Sequence, residues 1–188
     1  MITIRPLIGE DMQAAIELKV RCWTEELAGI GEKTLSVKAE LDLWLEWMNA
    51  AQEYNDIRLL IGAFENKNLL GVAFASLAEA DDIPSKGIEL NGLWVSPAHR
   101  GRGISLRLMV HVLDYYRSMD MERIVIYNCH HAPSNGFYRK FGAQVMRQVN
   151  QMQGKLPVDV FIADIGDLFR RMSLSLSRMD AMQEQVII

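Results

Sequence analysis

Cysteine is nearly absent: Cys22 and Cys129 are the only two in 188 residues. They are too few for a disulfide framework and lack CxxC spacing, so both are expected as reduced thiols in or near the core. Long hydrophobic runs are also missing, and none approaches the roughly 20 apolar residues that cross a bilayer. Met1–Pro6 lacks the charged and apolar regions of a signal peptide, so the expected compartment is the cytoplasm, with no membrane partner. Nor does one sign of charge dominate: 20 basic against 24 acidic residues give a formal charge of −4. That balance argues against a broad contact with nucleic-acid phosphate. The sequence contains no internal repeat and no low-complexity tract.

What is present is ordinary globular composition, 49% hydrophobic and 23% charged, enough at this length for a core that needs no metal or disulfide staple. One domain is expected over residues 1–165, with an appendage over 166–188. Thr3–Pro6 reads as a strand. From Glu10 the apolar positions Met12, Ile16, Leu18, Val20, Trp23 and Leu27 predict a helix that Gly29-Ile30-Gly31 breaks. Ser36 can cap a second helix carrying Leu41, Trp44, Leu45 and Met48. Strands are expected at Ile57–Phe64, Leu69–Leu77 and Ile88–Val95, joined by turn chemistry at Glu65–Asn68 and Asp81–Gly87. A helix with the stripe Ile104, Leu108, Val112 and Tyr116 follows, then a strand at Ile124–Tyr127 and a short helix at Ser134–Phe141. Strands at Gln144–Gln151 and Val158–Ile165 close the domain around Gly154 and Pro157.

The last stretch, Gly166–Ile188, spaces Leu168, Met172, Leu176, Met179, Met182 and Val186 as one helical face. A helix packed on its own domain, a contact with a partner or second subunit in a homodimer, and a frayed tail are all compatible with that pattern.

The segment richest in chemistry is Leu93-Trp94-Val95-Ser96-Pro97-Ala98-His99-Arg100-Gly101-Arg102-Gly103-Ile104-Ser105. A strand ends, a glycine-rich turn follows and an amphipathic helix starts. Such junctions bind anions, because glycines admit close backbone approach and the helix start offers free N–H groups with a favourable dipole. The spacing is neither GxxxxGK[ST] nor GxGxxG, which points to a diphosphate ligand of another kind.

With this order of elements, the segment resembles the GNAT acyltransferases. Arg100, Gly103 and Ser105 fill the family's phosphate motif [Q/R]-x-x-G-x-[G/A], with serine at the last position instead of glycine or alanine. Phe137-Tyr138-Arg139-Lys140-Phe141-Gly142-Ala143 is similar to its FYxKxG[F/A] element. The asparagine often found about seven residues before that tyrosine is replaced by His131, with Asn135 closer. Arg21-Cys22-Trp23 with Gly29-Ile30 resembles a subset of the family.

The resemblance covers about residues 1–165 and implies an α/β (α+β) fold, a mixed, largely antiparallel twisted sheet of about seven strands flanked by about four helices. It implies acetyl-CoA as co-substrate and no metal. The acceptor would be a primary amine of a small molecule or peptide, bound by the first two helices and the closing hairpin. Residues expected at the cofactor are Leu93, Trp94, Val95, Arg100, Gly101, Arg102, Gly103, Ile104, Ser105, Asn135 and Tyr138. The Leu93 N–H would polarise the acetyl carbonyl, and Val95 would pair with the pantetheine arm.

Acetyl transfer to an amine needs a proton removed from the ammonium and one given to the departing thiolate. Glu89, eleven residues before Arg100, matches a catalytic glutamate of some members; a solvent-facing strand carboxylate is the other reading. Strand alternation places Glu89, Asn91, Leu93 and Val95 on one face unless a bulge intervenes. Tyr138 reads as the proton donor or as a packed aromatic. His130 and His131 could line the acceptor site or relay a proton, or simply cap a strand. An acetyl-CoA-binding module without transfer activity is the alternative function, and the presence of both Glu89 and Tyr138 favours the enzyme. Glu25, Glu26, Glu32, Glu40, Asp42 and Glu46 make the acceptor region acidic, which suits a cationic acceptor.

Overall fold

The computed structural model describes residues 1–26, 35–79 and 86–185. The expected break at Gly29–Gly31, Glu32, most of the Asp81–Gly87 turn, and the contributions of Leu27 and Val186 to helix faces lie outside the described residues.

Seven strands form one sheet in the order β1-β2-β3-β4-β5-β7-β6. They are β1 (Thr3–Pro6), β2 (Leu59–Glu65), β3 (Asn68–Leu77), β4 (Gly87–Val95), β5 (Arg123–Cys129), β6 (Gln144–Gln151) and β7 (Leu156–Asp164). All neighbours pair antiparallel except β4 with β5. The β2–β3 hairpin closes on Asn66 and Lys67, both at positive φ (50° and 70°), the backbone of a tight primed turn.

Helices α1 (Gly9–Glu26) and α2 (Val37–Asn49) cover one face of the sheet. There Met12, Ile16 and Leu18 pack with Phe74 and Trp94. Ser36 caps α2, its hydroxyl accepting from Ala39 N–H. The other face carries α3 (Ile104–Arg117), α4 (Asn135–Lys140) and the C-terminal α5 (Ile165–Gln185). Leu108, Met109, Val112, Leu113 and Tyr116 of α3 are fully enclosed by the sheet and by Ile165, Leu168 and Met172 of α5. Tyr116 directs its hydroxyl to the carbonyls of Ile57 (2.7 Å) and Ala75 (3.0 Å), so its polar end is satisfied inside the core.

Two expectations need correction. Pro157, read as a turn residue, lies within β7 opposite Asn150, and its carbonyl accepts from His130 N–H. The strand ends at Asp164, so Ile165 starts α5. The face assignment along β4 also changes. Against β3 the register jumps from Ala75↔Leu90 to Phe74↔Gly92, leaving Asn91 as an extra residue. A bulge of this kind reverses alternation. Ile88, Leu90, Leu93 and Val95 therefore contribute to the α3-side core while Trp94 joins the α1 side, and Glu89 is no longer on the face of Leu93 and Val95.

Candidate active site

The site begins where the one parallel pair ends. β4 and β5 are hydrogen-bonded only from Gly87↔Arg123 to Leu90↔Ile126; beyond that point they separate, although β4 stays paired with β3 as far as Val95. The β5-facing edge of Asn91–Val95 is thus open. A groove fills the gap, walled by Leu93, Trp94, Asn128, Cys129, Ser134 and Tyr138. Cys22, Trp23 and Glu26 of α1 form its rim.

At one end the groove meets the turn after β4. Pro97–His99 forms a single 3-10 turn, Gly101 and Gly103 adopt φ of 79° and 74°, and Gly103 is the N-cap of α3 without a side-chain cap. The left-handed conformation at both positions is the one that glycine alone adopts at low cost. The first helical bond runs from Arg107 N–H to Gly103 C=O (3.0 Å), and the amides of Gly101 to Leu106 find no acceptor among the described residues. An array of free N–H groups at a helix start is an anion cradle. A Cβ at Gly101 would meet nothing within 4 Å, so the turn is open on that side. Arg100 and Ser105 line this end. Arg100 pairs with Glu25 at 2.9 Å, and Arg102 points away to Glu65 at 2.8 Å. The Ile104 side chain is buried in the α3-side core, which leaves its N–H for a ligand.

Tyr138 stands in the middle. It is 5% exposed, packed against Phe137 and Phe161, and touches both ends of the groove. Burial pushes its phenol well above the ordinary range and the Glu26 carboxylate pushes the same way, so it is protonated at neutral pH. Glu26 itself is held above the usual carboxylate range, chiefly by lost hydration, with Arg100 opposing and Glu25 reinforcing the shift. Near it the Oδ1 of Asn91 is buried with no donor among the described residues. The groove therefore offers a carboxylate on its rim, and an unmet hydrogen-bond acceptor at the end away from the phosphate-type turn.

Other expected residues lie elsewhere. Asn135 is 3% exposed and turned inward: its Nδ2 donates to the carbonyls of Cys129 (3.0 Å) and His130 (2.9 Å), and its Oδ1 accepts from Asn128 (2.6 Å). It locks the β5–α4 connection, and Ser134 faces the groove in its place. Glu89 sits opposite Ser76 and Val125, does not line the groove, and is not without a partner. The Val95 carbonyl accepts from the Cys22 thiol at 3.5 Å. His130 caps the end of β5, its Nδ1 2.7 Å from the buried Asp159. Sequence reasoning counted Glu26 only as one of several acidic residues. Its spacing from Lys19, Cys22 and Trp23, at i+7, i+4 and i+3, puts it on their helix face and was the available signal.

The family model described as acetyltransferase (GNAT) family matches residues 13–143. A comparison with curated proteins gives no match. Among solved structures, the chain is similar to the PaiA N-acetyltransferase of Thermoplasma acidophilum in complex with coenzyme A, with 19% identity and a TM-score of 0.69 over 87% of this chain and 99% of that one. It is similar to YncA of Salmonella typhimurium with its cofactor acetyl-CoA, at 21% identity and a TM-score of 0.67 over 88% and 94%. An N-acetyltransferase of Staphylococcus aureus Mu50 gives 16% identity and a TM-score of 0.69 over 88% and 99%. At these identities the structures speak for the fold, while the family model spans most of the chain: the protein belongs to the acetyltransferase (GNAT) family, whose members are acetyl-CoA-dependent N-acetyltransferases.

Proposed function

We propose that this protein acetylates a primary amine of a small molecule or peptide by direct transfer in a ternary complex, with acetyl-CoA as donor. The observation that carries the reading is the set of groups gathered along one groove: free amides at the α3 start, the open edge of β4, the buried phenol of Tyr138, the Glu26 carboxylate on the rim and the orphaned Asn91 Oδ1. The residues fit a coenzyme A ligand, because a diphosphate answers the unpaired amides of Gly101 to Leu106. Acetyl-CoA, when bound, supplies an activated thioester to the amine.

In this reading Arg100, Ser105 and the turn amides hold the diphosphate. The backbone of Leu93 and Val95 at the open edge takes the pantetheine arm and orients the carbonyl. Glu26 accepts the ammonium proton, its affinity for protons raised above that of a free carboxylate by lost hydration. Tyr138 donates its proton to the departing sulfur. Among the acidic residues of the acceptor region, Glu40 is paired with Lys19 and Glu25 with Arg100, while Glu26 lines the groove and is placed to meet a cationic acceptor. We assign the carboxylate role to Glu26 in preference to Glu89, because Glu26 lines the groove and Glu89 does not.

A thiol-release assay over a panel of amines and peptides tests the proposal, together with calorimetry against acetyl-CoA. Expected is acetyl-CoA binding and turnover with at least one primary amine. No binding at millimolar acetyl-CoA would sink it.

A further inference from the structure

Resting on the reading of the Gly-rich turn as the diphosphate site, we infer that the end of the C-terminal helix is a positioning element for that turn, acting through Met179 and the Arg107–Asp180 pair. α5 lies outside the residues that the family model matches. Its first half is anchored, with Ile165, Leu168 and Met172 inside the α3-side core and Leu176 against it. The helix continues past that core along α3. There the Met179 thioether lies against Gly103: an ideal Cβ on that glycine would fall 2.1 Å from Met179 Cε and 2.7 Å from Sδ. One helical turn into α3, Arg107 directs both Nη atoms to the Asp180 carboxylate.

These contacts fall on the two residues joined by the first hydrogen bond of α3, Arg107 N–H to Gly103 C=O. Gly103 needs the support. It holds a left-handed φ of 74° with no side-chain cap, and free glycine turns sample many conformations. An amide cradle binds in proportion to the time it spends assembled. Met179 packs against Gly103 while a Cβ at Gly101 would meet nothing within 4 Å, so the turn is held at one glycine and open at the other. The appendage thereby joins the cofactor site without touching the ligand itself.

The test measures coenzyme A affinity by calorimetry for the wild type, Met179→Ala, Met179→Leu and the charge-neutral double variant Arg107→Gln/Asp180→Asn, each checked by circular dichroism and thermal melting. Met179→Ala and the double variant should weaken binding by about five-fold or more, as expected if the assembled turn falls to a fifth of the population. Met179→Leu should restore most of the affinity. In turnover, the KM for acetyl-CoA should rise while kcat at saturation holds. A folded Met179→Ala and double variant that bind within about two-fold of wild type, or more tightly, would overturn the positioning role and leave the turn assignment intact. A wild type that fails to bind coenzyme A would remove the assignment of the turn and this inference together.

Discussion

Replacing Tyr138 by Phe removes one hydroxyl and almost no packing, since the ring stays wedged between Phe137 and Phe161. If the phenol protonates the leaving sulfur, kcat should fall by roughly 10²- to 10⁴-fold while coenzyme A affinity is unchanged. Steady-state kinetics beside calorimetry check this, and turnover within about two-fold of wild type would remove the acid role. Glu26→Gln carries a pH signature. A carboxyl held above its ordinary value of 4.5 stays protonated into a range where a free carboxylate is ionised, so wild-type kcat/KM should rise with pH through that raised value. The variant should be slower and lack that limb; a loss of the same size at every pH would mean that Glu26 only positions the amine. Glu89→Gln should leave the limb in place. At this scale the sequence made the turn legible, because Arg100 to Ser105 is contiguous and its conformation is local. The inward turn of the Asn135 side chain was not legible, because it depends on how β5 joins α4, and neither was the place of Glu26 on the groove rim, which depends on α1 crossing the sheet.

Among the elements, β4 does most to create the site, and its decisive feature is the extra residue at Asn91. The strand itself was legible from its apolar run, as were the helices from their stripes. The bulge was not, although a glycine inside a strand pattern is a known sign of one. Gly92 shows what that costs in side-chain space: the Trp94 ring lies over it so closely that an ideal Cβ would be 2.0 Å from the indole. That ring also packs edge-on to Phe74 with centroids 5.6 Å apart and sits near the buried Lys19 ammonium. Gly92→Ala should therefore push Trp94 off its seat, destabilising the chain by about 1–3 kcal/mol as overpacking does. It should also weaken acetyl-CoA binding, because Trp94 walls the groove. Urea denaturation and calorimetry measure the two effects. Unchanged stability would show that the ring can rotate away freely and that this wall of the groove is soft.

Across the whole molecule, the splayed half of the sheet needs a tie, since β4 and β5 stop pairing where the groove opens. The tie lies at Asp159 of β7. Its carboxylate, 3% exposed, takes His130 Nδ1 from the end of β5 (2.7 Å), Gln148 Nε2 from β6 (3.0 Å) and Arg139 Nη2 from α4 (3.2 Å). Four elements meet on one anion, an arrangement with no sequence signature because its members are scattered from 130 to 159. Burial favours the neutral acid here, but the bonds from His130 and Gln148 and the charges of His130 and Arg139 outweigh it and hold the group below the usual range. A carboxyl depressed on folding stabilises the native state above its unfolded value, near 3.8, and loses that contribution as the pH falls through the folded one. Asp159→Asn should thus cost roughly 1–3 kcal/mol at pH 7, where three donors lose their anionic acceptor. For a chain of this size that is about 2–4 °C in melting temperature for each kcal/mol. The gap between variant and wild type should narrow once the pH drops below about 4, where the carboxyl of the unfolded chain takes up its proton before the folded one does. Melting curves from pH 3 to pH 8 decide the matter: a gap that stays constant across that range would mean that Asp159 matters for its shape and not for its charge.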